Sequence, residues 1–522
     1  YNSYLGLYDY GLNKNDITQV TEQQTRTRNV LVENLLTFDR TFGDHKISVL
    51  AGYTYQDSRY RYMQGSGQGM PTGIREIDAA AQGLAVSGNS NRSVLTSILG
   101  RAFYSYKNRY LLTATIRRDG SSKFGSNNRY GNFPSFSAGW NIAEEDFVKN
   151  NVSWLDQLKL RGGYGVLGNQ EIDNYQYVSV VTTGINYPDG KSGLIQGAFP
   201  KTFANPDIKW EETAMTNVGI DFMALRNRLT LTADWYVKNT KDILLNVPIP
   251  ISSGGANDPI QNAGKIRNQG FEFNIGWNES LNKDLSYGVS FLGTYNKNEV
   301  IALGDGMQPI ESGTIHGGTY TTRTLAGYPI GGFWLIPTDG YFNSAEEVQA
   351  YQKDGVLIQP SAQPGDIRFK DTNNDGTIND DDRVYSGSPF PKFTYSINGN
   401  LTYKNVDFSI GFQGVSGNKI YNATRLELTD VTRGTNYLAS TLDYWTPENR
   451  NASSPRLIWT DPNRNARSES DRYLENGSYF RLRNLQVGYT LPTAWFHGFV
   501  QKARVYVNAE NLFTITSYSG YT

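Results

Sequence analysis

The chain has 522 residues, with 49 Lys and Arg against 50 Asp and Glu, a formal charge of −1, and no cysteine. That balance leaves no basic face to neutralise phosphates and argues against nucleic acid as the partner. The lack of Cys removes thiol nucleophiles, thiolate metal sites and disulfides together.

Tyr (35), Phe (24), Trp (9) and Gly (53) are abundant although mean hydropathy is −0.51. No apolar run nears the roughly 20 residues of a membrane helix. A membrane β-barrel has this composition, because each strand shows lipid only every second residue. A secreted all-β protein shares it.

In chain order, the apolar residues recur with period two. The first clear set is Ile47, Val49, Ala51, Tyr53 and Tyr55. Leu229, Leu231, Ala233, Trp235 and Val237 follow, with Thr230, Thr232, Asp234, Tyr236 and Lys238 between them. Next come Phe271/Phe273/Ile275/Trp277 and Leu285/Tyr287/Val289/Phe291/Tyr295. The last sets are Phe393/Tyr395/Ile397/Leu401/Tyr403 and Val406/Phe408/Ile410/Phe412. Period two predicts strands, and helical spacing explains none of these sets. Several runs match the roughly 9–11 tilted residues that cross a bilayer. Their polar faces of Ser, Thr, Asn, Asp and Gln suit a wet interior better than a dry sandwich core. The fold class expected is therefore all-β, a transmembrane antiparallel β-barrel.

Short turns are expected at Gly43–Asp44, Lys107–Asn108, Leu225–Asn227, Asn278–Lys283 and Lys404–Asn405. A medium connection, Ala143–Trp154, carries Glu144, Glu145 and Asp146 and has room for a helical turn. Long Gly/Asn/Ser/Pro-rich loops are expected over 58–92, 120–133, 167–209, 241–265, 298–390 and 417–477. Short periplasmic turns alternating with long extracellular loops mark outer-membrane barrels. If all short turns lie on one side, 298–390 starts and ends outside and reads as one very long loop. About fourteen strands then fit within 30–516.

Ten stretches in order resemble the SusC/RagA family of TonB-dependent outer-membrane transporters of Bacteroidetes. Among them are TATIRRDGSSKFG (113–125), LKLRGGYGVLGNQ (158–170), NPDIKWEET (205–213), GYPIGGFW (327–334), PGDIRFKDTNNDGTINDDDR (364–383) and SYFRLRNLQVGYTLP (478–492). The resemblance implies a 22-stranded barrel, of which residues 1–522 would supply approximately the eighth to the twenty-first strand. The family's plug, its TonB-contacting segment and a last strand are not recognised here, so the chain is expected to be part of a longer product. By resemblance the function is import of oligosaccharides or peptides across the outer membrane of a Gram-negative bacterium. The implied partners are a SusD-like lipoprotein, TonB acting through the N-terminal region, and outer-membrane lipid. The alternatives are a passive porin or adhesin barrel, and a soluble secreted carbohydrate-binding β-protein.

The sharpest local motif runs from Asp371 to Asp382. It places oxygen ligands at Asp371, Asn373 and Asp375, Gly376 at the turn, the Thr377 carbonyl next, then Asn379 and Asp382, which is the EF-hand order. Ca²⁺ takes six to eight oxygens, and a glycine lets the chain fold back on the ion. Asp382 stands where EF-hands carry Glu, and the flanks are not helical. The expectation is a structural Ca²⁺ held by Asp371, Asn373, Asp375, Thr377 and Asp382, with Asn379 bound through water. The bland alternative is an acidic, solvated turn.

Arg117, Arg118 and Asp119 read better as an internal salt-bridge network than as a ligand cluster. Gly65, Gly67 and Gly69 resemble a phosphate loop only by letters. Trp140, Trp154, Trp235 and Trp277 are candidates to stack on sugar rings or to serve as lipid-facing or girdle residues, the second reading being favoured for Trp235 and Trp277 on their apolar faces. Tyr175, Tyr177, Tyr187 and Trp334 are the better ligand candidates, although no one of them stands out. His45, His316 and His497 are dispersed, and no catalytic motif appears, so an enzyme is not expected.

Overall fold

The computed structural model describes residues 2–520 apart from 12, 72, 189, 191, 192, 248, 250, 251, 253–256, 305, 307, 316–318 and 498. Its contacts divide the chain into two units. Residues 1–139, 163–214 and 240–263 form the first, and 140–162, 215–239 and 264–522 the second.

In the first unit, consecutive strands lie side by side: β1 (Asn2–Leu5), β2 (Gln19–Phe42), β3 (His45–Gln68), β4 (Gln82–Tyr106), β5 (Tyr110–Ser121) and β6 (Tyr130–Asn141). The pairing from β1 through β5 is antiparallel. Gly43 has φ 58°, and Lys107 and Asn108 have φ 53° and 54°, the left-handed geometry that closes tight hairpins.

The loop expected over 58–92 is corrected here, because β3 continues to Gln68 and β4 begins at Gln82. β2 and β3 have 24 residues each, about 80 Å at ~3.4 Å per residue, far more than a bilayer requires. The outer parts of these strands carry polar groups on both faces, so no apolar stripe reveals them. They pair through backbone all the same, and side chains add to the ladder. Asp57 accepts from Arg92 Nε and Nη2, both at 2.9 Å, and from Arg59 Nη2 at 3.1 Å. The loop expected over 120–133 likewise shortens to 122–129.

Beside these strands sits an apolar cluster of Phe124, Phe133, Ile172, Ile208 and Trp210. The Trp210 ring lies 5.0 Å from Phe124 and 5.4 Å from Phe133, and its Nε1 donates to the Arg129 carbonyl at 3.1 Å. The segments that look like loop sequence thus share a small core of their own. The expected 167–209 loop contains a hairpin of Val180–Pro188 with Leu194–Thr202.

In the second unit the strand order again follows the chain, through the parts of β7 (Leu155–Asn169), β8 (Glu211–Ala224) and β9 (Leu229–Lys241) that belong to it. It continues through β10 (Lys265–Ser280), β11 (Leu285–Ala302), β12 (Phe393–Tyr403), β13 (Val406–Ser416), β14 (Tyr479–Leu491) and β15 (Ala503–Thr516). The register turns the alternation into ladders. Trp277 pairs Val289, Val289 pairs Gly399, Gly399 pairs Ile410, and Ile410 pairs Leu485. On the other face Ser290 pairs Asn398, Asn398 pairs Gly411, and Gly411 pairs Asn484. A helical turn does occupy the medium connection, at Asp146–Lys149.

Among the described residues between β11 and β12, no strand joins the main sheet. The segment instead builds a four-stranded sheet from Ile310–Ile315, Thr319–Thr324, Gly332–Leu335 and Val384–Gly387. A pair of strands, Thr338–Tyr341 with Ile367–Phe369, and a short helix, Ala345–Ala350, complete it. The 417–477 connection packs on this block: Ile336 N–H donates to the Glu469 carbonyl at 2.8 Å, and Asp471 N–H donates to the Ile336 carbonyl at 3.1 Å.

Candidate functional site

The polar face of the wall is organised by ion pairs that cross strands. Arg161 on β7 donates Nη1 and Nη2 to the two oxygens of Asp234 on β9, at 2.6 and 2.5 Å, while its Nε reaches Asp221 on β8 at 3.1 Å. One step along β9, the Tyr236 hydroxyl donates to Asn296 at 3.1 Å. Arg117 and Asp119 form an internal network, as their spacing suggests: Arg117 Nε donates to Asp119 at 2.7 Å and Nη2 donates to Ser97 at 2.8 Å. Arg118, on the opposite face of the strand with Leu112 and Ile116, lies 4.9 Å over the Tyr130 ring.

The block built from 303–392 and 417–477 is held by a buried carboxylate. Asp366 is fully buried and accepts from Arg456 Nε at 2.6 Å, Arg456 Nη2 at 2.9 Å, Asn465 Nδ2 at 2.8 Å and Gln363 N–H at 2.9 Å. Four donors satisfy its oxygens without solvent.

The 371–382 motif forms one hydrogen-bonded turn. Asp371 accepts the N–H groups of Asp375 at 3.1 Å and Gly376 at 2.8 Å. Gly376 has φ 90°, a conformation that a side chain would strain. Asn373 accepts from Asp375 N–H at 2.9 Å and donates its own amide to Asp375 at 2.9 Å. Asp375 also accepts from Thr377 N–H and Oγ1, both at 2.8 Å, and from Asn379 Nδ2 at 3.3 Å. These bonds, led by Asn373 and Thr377, hold the Asp375 carboxyl at about 2.

Asp382 behaves differently. It is fully buried, and its two oxygens accept the N–H groups of Thr372 at 2.7 Å and Asn379 at 2.8 Å. Among the described residues no three His, Cys, Asp or Glu come together as metal ligands. The oxygens of Asp371, Asn373 and Asp375 thus accept donors from within the turn, and those of Asp382 are buried against backbone donors.

The aromatic candidates separate by surroundings. Tyr177 packs against the Phe124–Trp210 cluster. Trp334, half-buried in the loop block, lies 4.9 Å from Tyr328 and 6.1 Å from Tyr385. Tyr175 donates to the Arg92 carbonyl at 3.5 Å. The side chain of Tyr187, and His316 altogether, lie outside the described residues. Trp140 Nε1 donates to Glu145 at 2.9 Å, Trp154 lies 6.4 Å from the Phe222 ring, and Trp235 is exposed on the apolar face. Gly65 and Gly67 are strand residues rather than a phosphate loop.

One concavity had no sequence signal. Asn422, Arg425, Arg472, Glu475 and Ser519 line a cavity of about 590 Å³. Arg425 pairs with Glu475 at 3.3 Å, and Glu475 also accepts Ser519 N–H and Oγ, both at 2.7 Å. Its walls come from segments about 50 to 100 residues apart, with no shared motif.

Comparisons with known proteins agree with this architecture. The family model described as "TonB dependent receptor-like, beta-barrel" matches residues 1–512. TonB-dependent receptor P3 of Formosa agariphila is 33% identical over 508 residues, covering 96% of this chain and 49% of that protein. TonB-dependent receptor SusC of Bacteroides thetaiotaomicron is 31% identical over 445 residues, covering 83% of this chain and 41% of SusC. The solved RagAB peptide transporter superposes with a TM-score of 0.82 at 25% identity, covering 97% of this chain and 54% of that one. The chain therefore spans about half the length of the relatives it matches. With its long antiparallel strands, its two-faced wall and this match along nearly the whole sequence, the chain belongs to the TonB-dependent receptor-like β-barrel family.

Proposed function

We propose that this chain is the greater part of the barrel wall of a TonB-dependent importer in a Gram-negative outer membrane. The observation that carries the reading is the register of β10 to β14, which lines up apolar side chains, with Gly399 among them, on one face and Asn and Ser, with Gly411 among them, on the other. A bilayer solvates the first, and a wet lumen the second. The short turns would lie in the periplasm and the folded 303–392 block outside. There a SusD-like lipoprotein would meet it and close over the substrate, and TonB would act through a plug encoded elsewhere in the full-length protein. Oligosaccharides and peptides are the substrate classes proposed, peptides being what RagAB transports.

Uptake of labelled oligosaccharide and peptide pools by cells carrying the full-length gene tests this. Uptake is expected to cease when TonB is deleted or the proton gradient collapsed. Uptake independent of both would make the protein a passive porin. Recovery of the protein free of lipid in the medium would make it a soluble binding protein.

Calcium in the 371–382 turn is a second, smaller proposal, supported by the ligand spacing and by Gly376 at the fold-back. The ion would draw on Asp371, Asn373, Asp375 and the Thr377 carbonyl, and it would recruit Asp382 only by displacing the N–H groups of Thr372 and Asn379. Calorimetric titration of full-length protein with Ca²⁺ should show one site that Asp371→Ala abolishes; no heat in the wild type would end the proposal.

A further inference from the structure

At the short-turn end of β2 to β5, the register assembles a row of Phe42, His45, Tyr106 and Tyr110. The next row on the same face is Arg40, Ile47, Tyr104 and Leu112. Behind it come Phe38, Val49, Ala102 and Ala114. Residues two apart share a face of a strand, so an aliphatic wall ends in a belt of rings with an arginine set among them. Rings at the rim are general to membrane barrels. The arginine is the feature that needs a partner.

Arg40 stands 5.9 Å over the Phe42 ring and has neither a hydrogen bond nor an ion pair among the described residues. Lys107 Nζ lies 5.5 Å over the Tyr106 ring and pairs loosely with exposed Asp44 at 3.6 Å. His45 Nδ1 is 2.8 Å from the Tyr104 hydroxyl, and its ring lies 4.8 Å from that of Tyr106. Asp39 pairs Ser48 and Lys46 pairs Thr41, so both project from the opposite face. A cation facing hydrocarbon is stable only where its stem carries the charge to a polar group.

The geometry points to a binding site at this rim for the phosphate of a membrane glycerophospholipid, held between Arg40 and Lys107, with the acyl chains along Phe38, Val49 and Ala102. Guanidinium and ammonium groups are the natural phosphate partners. Two strand spacings, about 10 Å, separate the strands that carry them, a gap that a headgroup and glycerol span. The site rests on the reading of the short turns as the periplasmic edge. Glycerophospholipid rather than lipid A forms the leaflet there.

The test uses full-length protein, delipidated in detergent and titrated with dioleoylphosphatidylglycerol, dioleoylglycerol or lipid A. Bound lipid is counted by native mass spectrometry, and folding is checked by heat-dependent gel mobility. Phosphatidylglycerol is expected to bind, and dioleoylglycerol, which lacks the phosphate, to compete poorly. Arg40→Gln with Lys107→Gln should weaken binding on the order of tenfold, and Arg40→Lys should retain most of it. If the double variant misfolds, Arg40→Gln alone is read for a severalfold loss. Undiminished binding by the folded variants, or lipid A binding as well as phosphatidylglycerol, overturns the site. A full-length protein that stays soluble without detergent would instead overturn the membrane reading on which the site rests.

Discussion

Arg161 and Asp234 meet through two parallel hydrogen bonds, at 2.6 and 2.5 Å, although 73 residues separate them in the chain. With Asp221 they tie β7, β8 and β9 together on the polar face. Gly219 lies directly beneath, and a Cβ there would press on the Asp234 carboxylate and the Arg161 guanidinium. Arg161→Ala should cost about 2–3 kcal/mol, since two charged acceptors lose their donor. Gly219→Ala should be destabilising in the same sense by splaying the pair. Denaturant unfolding of full-length protein in detergent measures both, and a wild-type midpoint for Arg161→Ala would show that the clamp contributes nothing.

The two faces of β9 should respond oppositely to charge. Leu231→Arg puts a guanidinium on the apolar face and should cost about 2–4 kcal/mol if it lies near the bilayer midplane. Thr232→Arg points to the polar face and should be tolerated. Equal losses at the two positions in a folding titration would contradict the assignment of faces.

Asp366 and Arg456 should control the loop block independently of the wall. Arg456→Ala leaves a fully buried carboxylate with only Asn465 and Gln363 as donors, a loss of about 3–5 kcal/mol of local stability. Hydrogen exchange should rise over 338–371 and 443–471 while strands β10 to β15 stay protected. Unchanged exchange in those two segments would count against the ion pair as the block's anchor.

The 371–382 turn should open in acid. The Asp375 carboxyl is depressed from 3.8 to about 2 in the folded turn. Its contribution is therefore full above about pH 4 and is lost as pH falls from there toward 2. Exchange of the Asp375, Gly376 and Thr377 amides should accelerate in that window beyond its intrinsic pH dependence. Asp371→Ala with Asp375→Ala should produce the same opening at neutral pH without affecting barrel assembly. Amides that remain protected in the double variant would show that other contacts hold the turn.

The amino-acid sequence determined the strands that touch lipid, because a pleated strand exposes every second side chain and a bilayer demands that those be apolar. Leu229 to Val237 and Phe271 to Trp277 are legible for that reason alone. The turn at Asp371–Thr377 is legible too, since the bonds that Asp371, Asn373 and Asp375 accept within it span five residues or fewer. Residues 58–68 and 82–92 were hidden because strand beyond the membrane has water on both faces and carries no stripe. Tertiary structure alone decided the partners of Arg161 and Asp366, the cavity beside Arg425, and the turning of Asp382 toward the N–H groups of Thr372 and Asn379. It also decided that Arg40, which by alternation belongs with Leu36, Phe38 and Phe42, shares a row with Ile47 and Tyr104, next to the row of Phe42, His45 and Tyr106. Those relationships depend on strand register and on chain segments tens of residues apart, and no local periodicity encodes which distant donor will reach a given acceptor.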